Sequence, residues 1–467
     1  MVEFILNDQT VRTRKPASMT LLDFIRYEQH LSGTKIGCRE GDCGACTVLI
    51  GKLNDERIHY ESMTSCITPL GNAAGKHVVT IEGLNMVELT PVQQAMVDSG
   101  GTQCGFCTVG FVVSLSGYCL TAEHPTKEGA ISAIDGNICR CTGYKSIENA
   151  AGDIAGQLSK KSQKEQTGWL IKKGFLPEYF SGIPKRLQKL RSYEIPENGQ
   201  VMIGGGTDLY VQKHDELLDT EEVSLVFDKP DWNSIHREGS EIVLGAATTA
   251  TDLMESEIMQ QIFPDLHRHL KLVSSTQIRN MGTVAGNFVN ASPIGDLTAF
   301  FIALNSTIVL TSPGGHQRQM LLKDLYKDYK ELNTKPGEHL TQIRFPVPDD
   351  QTRFNFEKVS KRTYLDIASV NTAIQIRSAK GKIDDVHLSA GGVGPTPKYL
   401  SRTCDFMRDQ ALTPELLPQA HEIIQSEISP ISDVRGSASY KRTLLRQLFY
   451  AHFAELYPEI FEDEIPA

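Results

Sequence analysis

The sequence predicts a multidomain α+β protein, and three observations lead there. At 467 residues the chain exceeds what one ordinary core supports, so it should divide into roughly two to four domains. Nine of its ten cysteines lie before residue 142, and only Cys404 lies beyond. The spacing of apolar residues also changes along the chain. It suits short strands up to residue 83, helices from 84 to 158, and an alternation of both afterwards.

Composition narrows the class. A hydrophobic content of 40% and a charged content of 22% are those of a globular protein. The formal net charge of −10 argues against nucleic-acid binding, which needs a basic face. The opening MVEFILNDQTVRTRK carries no long apolar region, and no apolar run approaches the roughly 18 residues of a membrane span. The expectation is a cytoplasmic protein that binds neither nucleic acid nor membrane. In a long chain of that kind, clustered cysteines point to metal rather than to disulfides.

Taken in order, FILNDQTV reads as two short strands around an Asn7-Asp8 turn. Thr20 begins a short helix, with Asp23 in capping-box position and Leu21, Phe24 and Ile25 on its apolar face. A Gly- and Cys-rich loop covers 37–46, a strand 47–50, and a last strand 77–81 closes a small α+β domain over 1–83. Helices are predicted over 91–98, 110–120, 127–134 and 146–158, giving a helical domain over 84–158. The polar stretch SKKSQKEQTG (159–168) opens a linker over 159–179. Strand candidates at 201–203, 242–244 and 307–310 belong to a domain over 180–350. A strand meander over 355–389, a helix from Thr413-Pro414 and a helix from Ser437 to Leu456 make a last domain over 351–467.

Cys38-x4-Cys43-x2-Cys46, with Cys66 further on, is the plant-type [2Fe–2S] ligand spacing. Two bridged irons need four thiolates around them, and Gly37, Gly41 and Gly44 let a loop curl so that N–H groups meet the cluster's negative charge. Zinc is the alternative, since four thiolates suit it too. Cys104-x2-Cys107 and Cys139-x-Cys141 form a second set, each pair at a junction between predicted helices. On spacing alone zinc competes there as well. Cys119 and Cys404 read as buried structural thiols.

Two stretches in the second half are candidates for a cofactor. MIGGGTDL (202–209) reads as strand, Gly-rich turn and helix start, an arrangement that offers backbone N–H groups and a helix dipole to a phosphate. A plain strand-to-helix connection is the alternative, and Leu209 stands where the dinucleotide fingerprint needs its last Gly. RNMGTVAGNFVNASPIGDL (279–297) is dense in Gly, Asn, Ser and Thr, and would otherwise read as a long surface loop. The histidines of LHRHL (266–270) lack partners at ligand spacing and are expected at the surface or at a cap. Lys441 and Arg442 are expected on a helix that serves core packing.

GTQCGFCTVGF followed by GNICRCTGY closely resembles the second [2Fe–2S] motif of the molybdenum hydroxylases, the xanthine dehydrogenase and aldehyde oxidase family. GCREGDCGACTV, Ser65-Cys66 and HVVTIEGL resemble the same family's N-terminal cluster domain. The resemblance implies a β-grasp ferredoxin-like [2Fe–2S] domain with Cys38, Cys43, Cys46 and Cys66 as ligands. It implies next a four-helix [2Fe–2S] domain with Cys104, Cys107, Cys139 and Cys141, the cluster nearest the molybdopterin, and Gln103 beside the pterin. Val109 stands where the family usually has Pro, and Lys145-Ser146 where it has Arg-Pro, neither at a ligand position.

MIGGGTDL and the 279–297 stretch resemble the family's FAD domain, a vanillyl-alcohol-oxidase-like α+β fold, with a C-terminal α+β domain like that of the CO dehydrogenase flavoprotein after it. By that resemblance Ile203, Gly204, Gly205, Gly206, Thr207, Asp208 and Leu209 wrap the pyrophosphate of FAD. Thr283, Asn287, Asn290 and Asp296 bind its adenosine and ribityl parts, while Leu340 and Lys358 lie along the flavin. Asp366 is kept in the loop that relatives using NAD make acidic, but Tyr364 and Leu365 occupy positions often acidic there. No catalytic acid or base is expected in this chain.

What the resemblance implies for function is the iron–sulfur/FAD subunit of a two-chain enzyme of the xanthine dehydrogenase type, oxidising hypoxanthine and xanthine to urate. Molybdopterin would lie in a large partner subunit, two small and two large chains would form a heterotetramer, and electrons would pass through both clusters to FAD and NAD+. The alternatives are the matching subunit of an aldehyde or N-heterocycle hydroxylase, a free-standing NADH diaphorase, and a zinc-stabilised scaffold.

Overall fold

The computed structural model describes residues 1–55, 57–162, 166–190, 201–218, 220 and 223–461. They form two compact units, Met1–Asp228 with Ser275–Gly282, and Lys229–Ser274 with Thr283–Ala467.

The first unit opens with a five-stranded sheet in the order Gln9–Thr13, Val2–Leu6, His77–Val79, Thr47–Asn54, Arg57–Thr64. Val2–Leu6 turns back through Asn7, whose φ of 53° suits Asn, and pairs parallel with His77–Val79. The Thr20 hydroxyl caps the crossing helix by accepting from the Asp23 N–H at 3.2 Å. Only Leu21–Asp23 is α-helical; Phe24–Glu28 continues as a π turn, with Leu21, Phe24 and Ile25 buried under the sheet. The expected strand 47–50 runs on to Asn54 and returns as Arg57–Thr64. That return strand hides in the sequence because its inner face ends in the polar Ser62 and Thr64, with His59 and Glu61 on the other face.

Helices Pro91–Asp98, Thr108–Thr121, Lys127–Ala133 and Lys145–Leu158 follow the predicted periods closely. Val92, Phe111, Leu115, Ile147, Ile154 and Leu158 are fully buried between them, each contributing about 1.5–3 kcal/mol. Of the expected linker, residues 163–165 lie outside the described residues, and Gln166–Lys172 is helical with Leu170 buried in the same core. Val201–Ile203 pairs parallel with Val223–Leu225, and Ile203, Tyr210, Leu225 and Met281 join the core under the first sheet. The expected FAD domain also includes 191–200, which lie outside the described residues.

The second unit holds an antiparallel sheet ordered Gln317–Leu321, Thr307–Thr311, His339–Pro346, Glu241–Gly245, Ile235–Glu238. A second antiparallel sheet, Thr352–Val359, Val370–Ala379, Lys382–Gly391 and Lys398–Tyr399, packs with Leu416–Glu427 and Ala438–Leu456. The helix expected from Thr413-Pro414 begins at Leu416 instead, because those two residues are spent on turns closed by Leu416 N–H to Thr413 O and Leu417 N–H to Pro414 O. His267 is exposed as expected, but His269 is buried: its Nε2 meets Asn355 Oδ1 at 3.0 Å, and Asn355 meets His452. Burial pushes those imidazoles down to about 4 and about 3. Cys119 and Cys404 are buried thiols that burial pushes up to about 12 and about 11. Among the described residues no helix is long and apolar enough to cross a membrane.

Candidate cofactor sites

The loop over 37–46 is curled by backbone at positive φ: Arg39 at 61°, Gly41 at 79° and Gly44 at 66°. At Gly37 a β-carbon would lie 2.5 Å from Cys43 Sγ, so the thiol occupies the space a side chain would fill. Arg39 pins the loop to the helix end through two hydrogen bonds to Asp23, at 2.8 and 3.0 Å. Burial would raise the Asp23 carboxyl, yet hydrogen bonds from Arg39 and Thr20 hold it below its ordinary value. Cys66 sits in the turn Ser65–Ile67, and the Ser65 N–H and hydroxyl both bond the Cys46 carbonyl.

The N–H groups of Glu40 and Cys43 point at Cys38 Sγ, at 3.3 and 3.4 Å, as donors to a thiolate should. Packed together, these thiols do not ionise independently. Hydrogen bonds from Cys43 and Cys66 hold Cys38 far below the ordinary thiol range, while the bond to Cys38 drives Cys43 up. Four thiolates side by side need cations among them, which is the chemistry a bridged iron pair supplies.

In the second set Cys107 caps Thr108–Thr121, and Cys139 and Cys141 lie in the loop before Lys145–Leu158, turned by Gly143 and Tyr144 at positive φ. The thiols meet in pairs. Cys104 Sγ and Cys141 Sγ are 3.6 Å apart, and Cys107 bonds Cys139. With metal–sulfur bonds of about 2.3 Å, two thiolates on one tetrahedral metal stand about 3.7 Å apart. Two such pairs suit two metals with two thiolates each. The Thr142 N–H and hydroxyl both reach Cys139 Sγ, at 3.4 and 3.1 Å.

The candidate flavin residues belong to both units. In the first, a β-carbon at Gly205 would overlap the Met281 carbonyl (1.8 Å), and one at Gly206, with φ 87°, would crowd the Ile67 carbonyl (2.6 Å). These glycines are therefore required by packing onto the segment 275–282 and the residue after Cys66. Ile203 is buried, Gly204 gives its carbonyl to Asn72 at 3.0 Å, and Thr207, Asp208 and Leu209 are half-buried. The helix that follows corrects one expectation. Leu209–Gln212 has four residues and ends at Lys213, too short for an aligned dipole to act on a phosphate.

In the second unit the polar stretch is a frame rather than a surface loop. Thr283 caps Val284–Val289 by accepting from the Gly286 N–H, and Asn287 Oδ1 accepts from the Thr298 N–H and hydroxyl. Asn290 accepts from Lys330 through its carbonyl and side chain, at 2.5 and 2.7 Å. Asp296 is held by Lys358 at 2.7 Å and by Asn371 at 2.6 Å, and Lys358 also donates to the Leu272 carbonyl. Leu340 is buried in its strand. Between Asn290 and Asp296, Ser292 and Ile294 help line a cavity of about 690 Å³ with Tyr329, Lys330, Ile367 and Arg435. Its size and its mix of flat, apolar and cationic walls fit a nucleotide-sized group.

Comparison with known proteins gives four consecutive family matches. A 2Fe-2S iron-sulfur cluster binding domain covers 4–71, a [2Fe-2S] binding domain 80–152, a FAD binding domain in molybdopterin dehydrogenase 182–348, and a CO dehydrogenase flavoprotein C-terminal domain 356–456. The chain belongs to the molybdenum hydroxylase family. It is 26% identical to xanthine dehydrogenase of Emericella nidulans, with 98% of this chain and 39% of that protein covered. Aldehyde oxidase 1 of Bos taurus is also 26% identical, with 97% of this chain and 39% of that protein covered. The chain thus spans about two fifths of the length of the curated relatives it matches. A solved structure of reconstituted CO dehydrogenase from Oligotropha carboxidovorans matches with 28% identity and a TM-score of 0.51, covering 55% of this chain and 90% of that one. This molybdenum hydroxylase chain therefore carries two [2Fe–2S]-binding domains and an FAD-binding domain.

Several residues that shape these sites carried no signal in the sequence. Arg39, Asn137, Gln277 and Met281 act over long sequence distances, through Asp23, Gly44, Ser114 and Gly205 respectively. Thr142, inside CRCTGY, was within reach of a closer look, since a hydroxyl next to a ligand cysteine is a natural donor to it.

Proposed function

We propose that this chain is the iron–sulfur/FAD subunit of a cytoplasmic xanthine dehydrogenase, working with a large molybdopterin-binding subunit in a heterotetramer of two small and two large chains. One observation carries the reading: in the first unit the two thiol sets differ in access. Cys104 and Cys141 are exposed, with Phe106 and Tyr144 exposed beside them in sequence, while Cys46 and Cys66 are 2% and 1% exposed. Beyond Cys66, the Ile67 carbonyl touches the glycine turn at Gly206.

In this reading Cys104, Cys107, Cys139 and Cys141 hold a cluster at the surface, where a partner delivers electrons taken from the purine. Cys38, Cys43, Cys46 and Cys66 would hold the second cluster, Cys46 and Cys66 from the core and Cys38 and Cys43 from partly exposed positions, and Ile203, Gly204, Gly205, Gly206, Thr207, Asp208 and Leu209 would hold the FAD pyrophosphate. Thr283, Asn287, Asn290 and Asp296 bind the adenosine and ribityl parts, and Leu340 and Lys358 border the flavin. Bound, the clusters carry single electrons and the flavin pairs them for a two-electron acceptor. That acceptor is NAD+, for which Lys330 and Arg435 offer charge to phosphates and Tyr329 and Ile367 offer flat and apolar wall.

A second reading, a molybdenum hydroxylase with another acceptor, is favoured by the loop before Asp366. Lys271 stands over the Tyr364 ring at 4.9 Å, Leu365 is held by its N–H on the Ser274 carbonyl, and Asp366 is engaged by Arg362. The one carboxylate of that loop is thus already bonded to Arg362. The test is purification with any large partner, followed by xanthine-dependent NAD+ reduction and metal analysis. About four irons and four acid-labile sulfides per chain, with NADH formed, are expected. Urate formed only with an artificial acceptor selects the second reading, and zinc without sulfide overturns both.

A further inference from the structure

Asn137, two residues before Cys139, stands at a junction of three backbones in the first unit. Its Nδ2 donates to the Gly44 carbonyl at 3.0 Å, inside the loop that carries Cys43 and Cys46. Its Oδ1 accepts from the Ser114 hydroxyl at 2.8 Å and from Gln277 Nε2 at 3.1 Å, and the Gln277 amide also bonds Ser114 Oγ at 3.0 Å. All three side chains are buried. Beside them the Ile138 N–H donates to the Cys43 carbonyl at 3.0 Å, joining one candidate ligand to the neighbour of another.

The junction has no slack. A β-carbon at Gly44 would lie 2.4 Å from the Gly136 carbonyl, one at Gly110 would lie 2.2 Å from the Gly44 carbonyl, and one at Gly136 would lie 1.9 Å from Gln277 Oε1. Gly44 and Gly110 thus let the two cysteine loops and the helix Thr108–Thr121 touch backbone to backbone, and Gly136 makes room for the Gln277 side chain. The polar side chain at their centre satisfies the Gly44 carbonyl. The same segment ends at Met281, whose sulfur receives Thr64 and Thr68 on either side of Cys66 and whose carbonyl seats Gly205.

We propose that Asn137, braced by Gln277, is a positioning residue that fixes the spacing between the two clusters. It rests on the assignment of the eight cysteines given above. Asn137 holds the Cys139 loop against the Cys43 loop, and Gln277 keeps the Asn137 amide turned so that its N–H faces Gly44. Replacing Asn137 by Ala frees the Gly44 carbonyl and lets the Ile138–Cys43 hydrogen bond lengthen, without touching a thiol.

The experiment uses the purified chain with its cofactors and compares Asn137→Ala and Gln277→Ala with the wild type. Iron and sulfide content comes first: wild type without both would remove the ligand assignment itself, whatever the variants do. With clusters present, the readout is the magnetic splitting between them in the fully reduced electron paramagnetic resonance spectrum, together with exchange of the Ile138 amide. Asn137→Ala should narrow the splitting and speed exchange at Ile138 several-fold, and Gln277→Ala should shift both in the same direction by less. If Asn137→Ala fails to fold, Gln277→Ala alone decides, since it lies outside both cysteine loops. Wild-type splitting and exchange in a loaded variant would overturn the proposal.

Discussion

In the first cysteine set Cys46 and Cys66 lie in the core of a sheet, whereas in the second Cys104 and Cys141 stand in solvent. The surroundings differ in kind as well. The first loop is pressed from several sides, by Asp23 through Arg39 and by Gly136 against Gly44. The second loop is held at its start through Asn137 and Ile138, but around its thiols it leans on its own neighbours, Thr142 and Tyr144. A shared ligand chemistry is thus set once into a fold's interior and once onto its surface, and the difference separates a site built for stability from one built for access. The largest effect that tests this is ligand replacement. Cys66→Ser should lose the first cluster and cost the sheet about 1–3 kcal/mol more for its buried hydroxyl. Cys104→Ser should lose the second cluster and leave the sheet's unfolding midpoint where it was. Equal destabilisation, measured by thermal unfolding beside the paramagnetic signals, would break the comparison.

The second loop has a deep ionic anchor beside Asn137. Arg279 meets Asp135 at 2.9 Å with both side chains almost fully buried, four residues before Cys139. Arg279→Leu would strand the Asp135 carboxylate and should cost about 3–5 kcal/mol, read by urea unfolding. Lys145→Ala, which breaks an exposed pair with Glu148 in the same domain, should cost no more than about 0.5 kcal/mol. A small loss at Arg279 would mean that the second set needs no support from Ser275–Gly282.

Glycines give a finer contrast. Gly44 and Gly105 both sit at positive φ, 66° and 82°, beside candidate ligands. At Gly105 nothing lies within 4 Å of an added β-carbon, so Gly105→Ala carries only the left-handed backbone cost of about 1–2 kcal/mol. Gly44→Ala adds overlap with the Gly136 backbone, about 1–3 kcal/mol more. Denaturant midpoints that fall equally for the two would show the first loop to be as loose as the second.

The cysteine sets were legible because their ligands come from short, local loops, where spacing and glycine content carry the geometry. The helical domain was legible for a similar reason, its four helices each holding one apolar period. Ser275–Gly282 was not. STQIRNMG has no period, its last four residues read only as the start of the polar stretch 279–297, and its work is done at Asp135, Asn137 and Ser62, between 140 and 218 residues away. In the flavin stretch the polar residues were visible, but not that Asp296 and Asn287 are already engaged by Lys358, Asn371 and Thr298. Asp296→Ala would therefore unsettle Lys358 before any effect on a ligand could be read. His269 misled for the opposite reason: no ligand pattern surrounds it in sequence, yet Asn355 and His452 come to it from two other elements.

Acid should separate the two cluster domains by a route that involves no thiol. His77 lies on the strand His77–Val79 of the first domain, with its Nε2 on the Asn7 carbonyl at 2.9 Å and its Nδ1 on the Tyr60 hydroxyl at 2.7 Å. The ring donates from Nε2 and accepts at Nδ1, which is the neutral form. Burial pushes its pKa down to about 3, against about 6.5 in an unfolded chain. A His depressed on folding gives its full stabilisation above pH 6.5 and loses it as the pH falls, by about 1.4 kcal/mol per unit. The helical domain holds a single histidine, His124, which is exposed rather than buried in a strand. Amide exchange in Val2–Leu6 should therefore quicken about fivefold between pH 6.5 and 5.5 and about tenfold more by pH 4.5, beyond the intrinsic change, while Thr108–Thr121 holds. His77→Gln, which can still bond Asn7 or Tyr60 but cannot take the proton, should flatten the slope. A slope that survives that substitution, or one shared by the helices, would assign the acid response to some group other than His77.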